Sequence, residues 1–343
     1  WFPQISMRIW TLIFAVTIFG LNISSTRVFA ESEFWLALVK VITVIAFIVL
    51  GLLAIFGLIP FHGAQTAPLF SNLTAQGWFP HGFLPIFTTM LIVNFAFSGT
   101  ELIGVAAGET KDPAQNVPKA INAAIWRLLI FFVGTIIVIS ALLPFQLAGL
   151  GGDNVSNSPF VTVFNYIGIP YADDIIRFVI ITALLSAANS GLYAASRMMW
   201  SLSEQKLLPG VFATLSKSGT PIVALVVTMF GAIPGLLSEQ FAPETIFKNL
   251  LGVAAFTMVI VWMSICLSQC NFRRQWYRSG HTVSDLKYAA PLFPIVPILG
   301  FLFCFITCLS MAADPEMRAG FIGCLIFTAL CYLSYFIFYR NKA

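Results

Sequence analysis

Apolar stretches of about 20 residues, the length an α-helix needs to cross roughly 30 Å of hydrocarbon, recur from one end of this chain to the other. Nine of them fall at about 9–26, 34–60, 85–107, 125–145, 175–203, 221–238, 246–270, 291–312 and 319–339. Lipid supplies no hydrogen-bond partners to a backbone, so runs of this kind are expected to be helical. The loops between them are short, and no low-complexity segment or linker divides the chain. Only 9% of the 343 residues are charged, against roughly 25% in an ordinary soluble domain. The expectation is an all-α integral membrane protein, with residues 1–343 forming one polytopic domain and no separate soluble part.

The placement of the 18 Lys and Arg residues sets the expected orientation, because cytoplasmic loops retain an excess of them. Thirteen fall on one face: Arg27; Lys111, Lys119 and Arg127; Arg197, Lys206 and Lys217; Arg273, Arg274, Arg278 and Lys287; Arg340 and Lys342. Four fall on the other, Arg8, Arg177, Lys248 and Arg318, and Lys40 lies inside a span. This bias puts the C-terminus in the cytoplasm and the first residue outside, although WFPQISMRIW has no signal-peptide organisation. The sequence therefore reads as continuing from an odd number of earlier spans. The net charge of +4 is spread through loops rather than gathered into a patch, so no nucleic-acid partner is expected.

The six cysteines, Cys266, Cys270, Cys304, Cys308, Cys324 and Cys331, all fall inside spans, without His or carboxylate neighbours at ligand spacing. They read as small packing residues, and no metal or cofactor is expected. His62, His81 and His281 lie in loops, so no Ser–His or His–metal constellation forms at membrane depth. That argues against an enzyme.

A charged side chain in a bilayer core costs roughly 2.5 to 3.5 kcal/mol on insertion scales, which makes each one a functional candidate. Two qualify, Lys40 and Glu101. Glu101 sits in NFAFSGTELIGVAAGETKDP, where Ser98, Gly99, Thr100 and Gly104 stand in place of hydrocarbon-like side chains. Glycine weakens a helix by about 1 kcal/mol relative to alanine, and Ser and Thr compete for backbone partners. The third span is therefore expected to uncoil midway. Freed backbone groups are tolerated at that depth only where they line a protein cavity, as in transporter binding sites. A tight packing face through Gly104 and Gly108 is the competing reading. Lys40 is either a buried amine that changes charge during work or a side chain snorkelling to the surface. Asn189 and Ser190 form the polar centre of SAANSGLYAAS and suit either close packing or ion coordination. Glu109, at the end of the third span, is a candidate gating or ion-pair residue, and Asp112, Pro113 and Pro118 are expected to end that span and shape the loop after it.

Four segments, FSGTELIGVAAGETKDPAQNVPKAI, ITALLSAANSGLYAASRMMWSLSEQKLLP, EFWLALVKVITVIAFIVLG and CNFRRQW, make the chain resemble the amino acid permeases of the amino acid–polyamine–organocation superfamily. GWFPHG, FAFSGTELIG and NYIGIPYADDI resemble the branch that carries S-methylmethionine, with lysine and general amino acid carriers next. The resemblance implies twelve spans, of which this chain would hold the fourth to the twelfth, and an inverted five-helix-repeat fold with discontinuous helices. It implies a secondary active importer in the bacterial cytoplasmic membrane, with an amino acid as substrate and the proton as coupling ion. Residues Phe95, Phe97, Ser98, Gly99, Thr100, Glu101 and Gly104 would line the substrate pocket, with Phe95 as an aromatic wall. Lys40 would supply a coupling amine faced by Ser186, Asn189 and Ser190, and Glu101 could pair with a cationic side chain. The half of the site that holds the substrate carboxylate would lie on the family's first span, which is not in this sequence. An exchanger on the same fold, a membrane amino acid sensor and a channel are the alternatives. A channel fits least, because the polar groups gather at one break.

Overall fold

The computed structural model describes residues 1–2, 4–62, 68–75, 77, 79, 82–144, 147, 157–233, 236, 243–313 and 318–338. Its architecture is helical throughout this set. In chain order the main elements are α1 (Met7–Ser24), α2 (Thr26–Ile55), α3 (Leu84–Ala96), α4 (Leu102–Val105), α5 (Pro113–Leu128), α6 (Gly134–Leu142), α7 (Pro159–Ile167), α8 (Ala172–Glu204), α9 (Ile222–Met229), α10 (Pro243–Arg278), α11 (Ile295–Ala313) and α12 (Arg318–Phe338). A π-helical turn, Leu129–Val133, joins α5 to α6, so that Pro113–Leu142 runs as one span.

Seven helices in the described set are long and apolar enough to cross a membrane, against nine expected spans. The other two expected spans depart from a simple rod. The third is divided between α3 and α4, and the sixth is represented by a shorter apolar helix, Ile222–Ala232. Residues 234–235 and 237–238, which the expected sixth span also reaches, lie outside the described residues. Pro113 and Pro118 differ from their expected place in a loop. Pro113 opens α5, where its missing N–H has no helical partner to lose, and Pro118 lies within the second turn of the same helix.

The long helices α2 and α8 pack side by side, with α1, α6 and α7 around them, and α10 gathers α3, α11 and α12. Serine sets the corner between α1 and α2: the Ser25 hydroxyl accepts from the Val28 amide at 3.2 Å, satisfying one of the open donors at the start of α2. The main apolar cluster joins Phe47, Ala54 and Ile55 of α2 to Val138, Ala141 and Leu142 of α6, to Val161, Val163 and Phe164 of α7, and to Ala172 and Ile176 at the start of α8. All of it lies toward the Ile55 end of α2. A smaller cluster holds Phe256, Met311 and Cys324 between α10, α11 and α12.

Helices α2 and α6 meet closely at Gly51. A Cβ placed there would stand 2.2 Å from Val138 Cγ1 and 3.1 Å from Val138 Cγ2, which is inside contact distance. Gly51→Ala is expected to destabilise the protein by about 1 to 3 kcal/mol through overpacking. Thermal unfolding in detergent measures the loss, and Val138→Ala in the same chain should restore most of it. The cysteines share in such contacts. A Cβ on Gly300 would lie 3.1 Å from Cys266 Sγ, and Cys324 Sγ lies 3.6 Å from the Val253 carbonyl oxygen.

Candidate functional site

The third span breaks where its sequence departs from hydrocarbon. Helix α3 ends at Ala96, residues 97–101 form turns, and α4 resumes at Leu102. Gly99 has φ of +93°, a left-handed conformation that a side chain would strain, and this explains why the break passes through a glycine. Its amide donates to both carboxylate oxygens of Glu101, at 3.1 and 3.2 Å. The Trp262 indole Nε1 of α10 donates to Glu101 Oε2 at 3.2 Å. Glu101 therefore ties the turn to itself and to a neighbouring helix. Beyond the short α4, the chain narrows to a 3-10 turn, Ala106–Glu109. On the other side of the break, Asn94 Nδ2 donates to Thr307 Oγ1 of α11 at 2.7 Å and holds the end of α3 in place.

The turn borders a cavity of about 470 Å³, to which it contributes Ser98, Gly99 and Thr100. Helix α2 contributes Glu33 and Lys40 to the same lining, and the α5 segment contributes Arg127. Seven residues separate Glu33 from Lys40, close to two helical turns, so both lie on one face of α2. Behind them the polar side chains are linked. Lys40 Nζ donates to Ser186 Oγ at 2.6 Å, and the Ser186 hydroxyl donates in turn to Glu33 Oε1. Asn189 Nδ2 donates to Glu33 Oε2 at 3.3 Å, and Asn22 Nδ2 of α1 donates to Asn189 Oδ1 at 2.8 Å. Ser186, Asn189 and Asn22 are all at most 2% exposed. A cation and an anion so placed are stable only because each has hydrogen-bond partners. The network thus fastens α1, α2 and α8 together on the cavity wall.

A second cavity, of about 680 Å³, opens past α4. Gly104 and Gly108 line it together with Thr26, Arg197 and Trp200. The Arg197 guanidinium lies 3.8 Å from the centre of the Tyr193 ring, and Nη2 donates to Thr26 Oγ1 at 3.1 Å. Tyr193 itself stacks on Phe29, with ring centres 4.0 Å apart.

The residues singled out in the sequence separate into groups. Ser98, Gly99, Thr100 and Lys40 share the first cavity, and Ser186 and Asn189 are bonded behind it. Ser190 is half-buried and stands outside that network. Glu101 does not line the cavity: its carboxylate is turned to the Gly99 amide and the Trp262 indole. Gly104 lines the second cavity, and Phe97 stacks on Phe132 of the π-turn at 4.7 Å. The side chains of Phe95 and Glu109 lie outside the described residues. Four partners were not singled out in the sequence: Glu33, Asn22, Arg127 and Trp262. The Glu33–Lys40 spacing was a usable signal, but Glu33 sits just before the apolar run and passes for a boundary residue.

The family model for amino acid permeases matches residues 1–343. This chain belongs to the amino acid permease family. The permease is 47% identical over 345 residues to a protein of Bacillus subtilis (strain 168) called putative histidine permease, an alignment covering 99% of this chain and 71% of that relative. It is 44% identical over 343 residues to the amino-acid permease RocC of the same organism, covering 100% of this chain and 72% of the relative. The lysine-specific permease LysP of Escherichia coli (strain K12) is 40% identical over 321 residues, covering 93% of this chain and 65% of the relative. The permease is a transporter rather than an enzyme, and its several long apolar helices make it a multi-pass membrane protein.

Proposed function

We propose that this permease imports an amino acid across the bacterial cytoplasmic membrane, driven by an inward proton gradient. The observation that carries the reading is the cavity in which the turn of the broken third span, Ser98 to Thr100, faces Lys40 and Glu33. Residues 1–343 belong to a single transport domain, with the inverted five-helix repeats and the cytoplasmic C-terminus that the motifs and the basic bias imply. At the turn, backbone groups and the Ser98 and Thr100 hydroxyls engage the polar end of the substrate. Lys40 takes up and releases the coupling proton, and Ser186 and Asn189 hold the wall behind it. Glu101 keeps the turn open. The roles that the motifs imply for Glu109 and Phe95 are those of a gate and of an aromatic wall.

The substrate class we propose is an amino acid with a cationic side chain, such as S-methylmethionine, lysine or protonated histidine. Glu33 gives the cavity a carboxylate that such a side chain can approach, and relatives are named for histidine and for lysine. A competition uptake assay tests this, with S-methylmethionine, lysine, histidine, methionine and phenylalanine as rivals. The cationic compounds should suppress uptake at concentrations roughly 10-fold below those at which phenylalanine does, a difference of about 1.4 kcal/mol. Equal suppression by all five would remove the cationic assignment and leave a broad-specificity permease.

A further inference from the structure

The hydrogen bonds around Lys40 all point one way. Lys40 Nζ donates to Ser186 Oγ at 2.6 Å, and the same hydroxyl donates onward to Glu33 Oε1. A hydroxyl that accepts on its oxygen while donating its own hydrogen can receive one proton and release another. Asn189 completes the arrangement. Its carbonyl oxygen accepts from Asn22 Nδ2 at 2.8 Å, which leaves its amide group to donate to Glu33 Oε2 at 3.3 Å. Glu33 thus receives a hydrogen bond at each carboxylate oxygen, and one of them leads back to the Lys40 ammonium. Ser186 and Asn189 are 1% and 0% exposed, so the protein itself forms this connection.

We propose that Glu33 is a second coupling residue, which exchanges a proton with Lys40 through the Ser186 hydroxyl. This deepens the proton-coupled reading above and rests on it. In the forward step a Lys40 N–H bond breaks as its proton bonds to Ser186 Oγ. The original Ser186 O–H bond breaks, and that proton bonds to Glu33 Oε1. An ammonium and a carboxylate become an amine and a carboxylic acid, with no other reactant. The charged pair is stable while its hydrogen bonds are intact, and the neutral pair is the less costly form when those bonds are parted away from water. Substrate filling the cavity displaces water from beside the pair, which makes the neutral form the less costly one and favours the forward step. Its departure favours the return.

Among the described residues, few charged groups face the pair. Arg127, on α5, lines the same cavity. On α8, Tyr193 and Arg197 stand further along, against Phe29 and Thr26. Among the described residues, α1 brings Asn22 to the network, and α6 and α7 meet α2 through the apolar cluster near Phe47. Arg127 is therefore the fixed charge that biases the exchange, and it opposes a second positive charge at Lys40.

The test uses the permease in membrane vesicles with an acid-outside gradient, reading substrate accumulation against external pH. Wild type should accumulate substrate, more strongly as the external pH falls. Glu33→Gln should lower accumulation at least about 10-fold and flatten the pH profile, in line with loss of a proton-transfer partner. Ser186→Ala should slow accumulation by a similar factor, and Ser186→Thr, which keeps the hydroxyl, should recover it. A Glu33→Gln protein with the wild-type pH profile overturns the relay. Wild-type vesicles indifferent to the gradient overturn the proton-coupled reading itself, a distinguishable failure. A second measurement covers a Glu33→Gln protein that does not fold: infrared difference spectra on adding substrate. The protonated-carboxyl band should appear in wild type and move in Glu33→Asp, and an unmoved band overturns the relay.

Discussion

Lys40→Ala is expected to abolish uphill uptake. Under the proposed coupling, the substitution removes the group that carries the proton and leaves Ser186 and Glu33 bonded to nothing that can supply one. A drop of roughly 100-fold or more in gradient-driven accumulation follows from losing a positioned proton donor. Lys40→Arg should fail almost as badly, because a guanidinium keeps its charge at every accessible pH and cannot take part in the exchange. The measurement is uptake of labelled substrate into energised vesicles, with and without a protonophore. Sodium-driven uptake that ignores the protonophore and survives Lys40→Ala would end the proton-coupled reading.

Changes at Glu101 should be nearly as severe, for a different reason. Its carboxylate accepts from the Gly99 amide and the Trp262 indole, so Glu101→Ala leaves two donors without their acceptor. Hydrogen bonds to a charged group contribute about 1.5 to 3 kcal/mol each. Loss of both is expected to let the turn relax and to lower uptake on the order of 100-fold, the equivalent of about 2.7 kcal/mol. Glu101→Gln distinguishes holding the turn from binding the substrate. A residue that holds the turn affects all substrates in proportion when neutralised. A counter-charge for the substrate weakens cationic ones selectively. Uptake of lysine and of methionine by the Gln variant, compared with wild type, decides between them, and a loss confined to lysine would return Glu101 to the pocket.

The break and Lys40 were legible in the sequence for the same reason: both depart from what hydrocarbon tolerates. A lysine amid FWLALVKVITV and a run of small and polar residues after TTMLIV need a protein interior to explain them. Glu33 carries no such mark. It stands near the start of an apolar run, where a carboxylate is ordinarily hydrated, and only the packing of α8 against α2 brings Ser186 and Asn189 onto it. Trp262 was beyond local reasoning altogether, since 161 residues separate it from Glu101.

The dry knot at the Ile55 end of α2, with Gly51 pressed on Val138, has a mechanical consequence. It makes a fulcrum. If α2 tilts against α8 by about 10° around Phe47, Thr26 at the far tip sweeps through about 5 Å, because the lever arm is about 30 Å long. Lys40 is only seven residues from the pivot and shifts by about 2 Å, a small stroke, yet ample to part it from the hydroxyl it now touches at 2.6 Å.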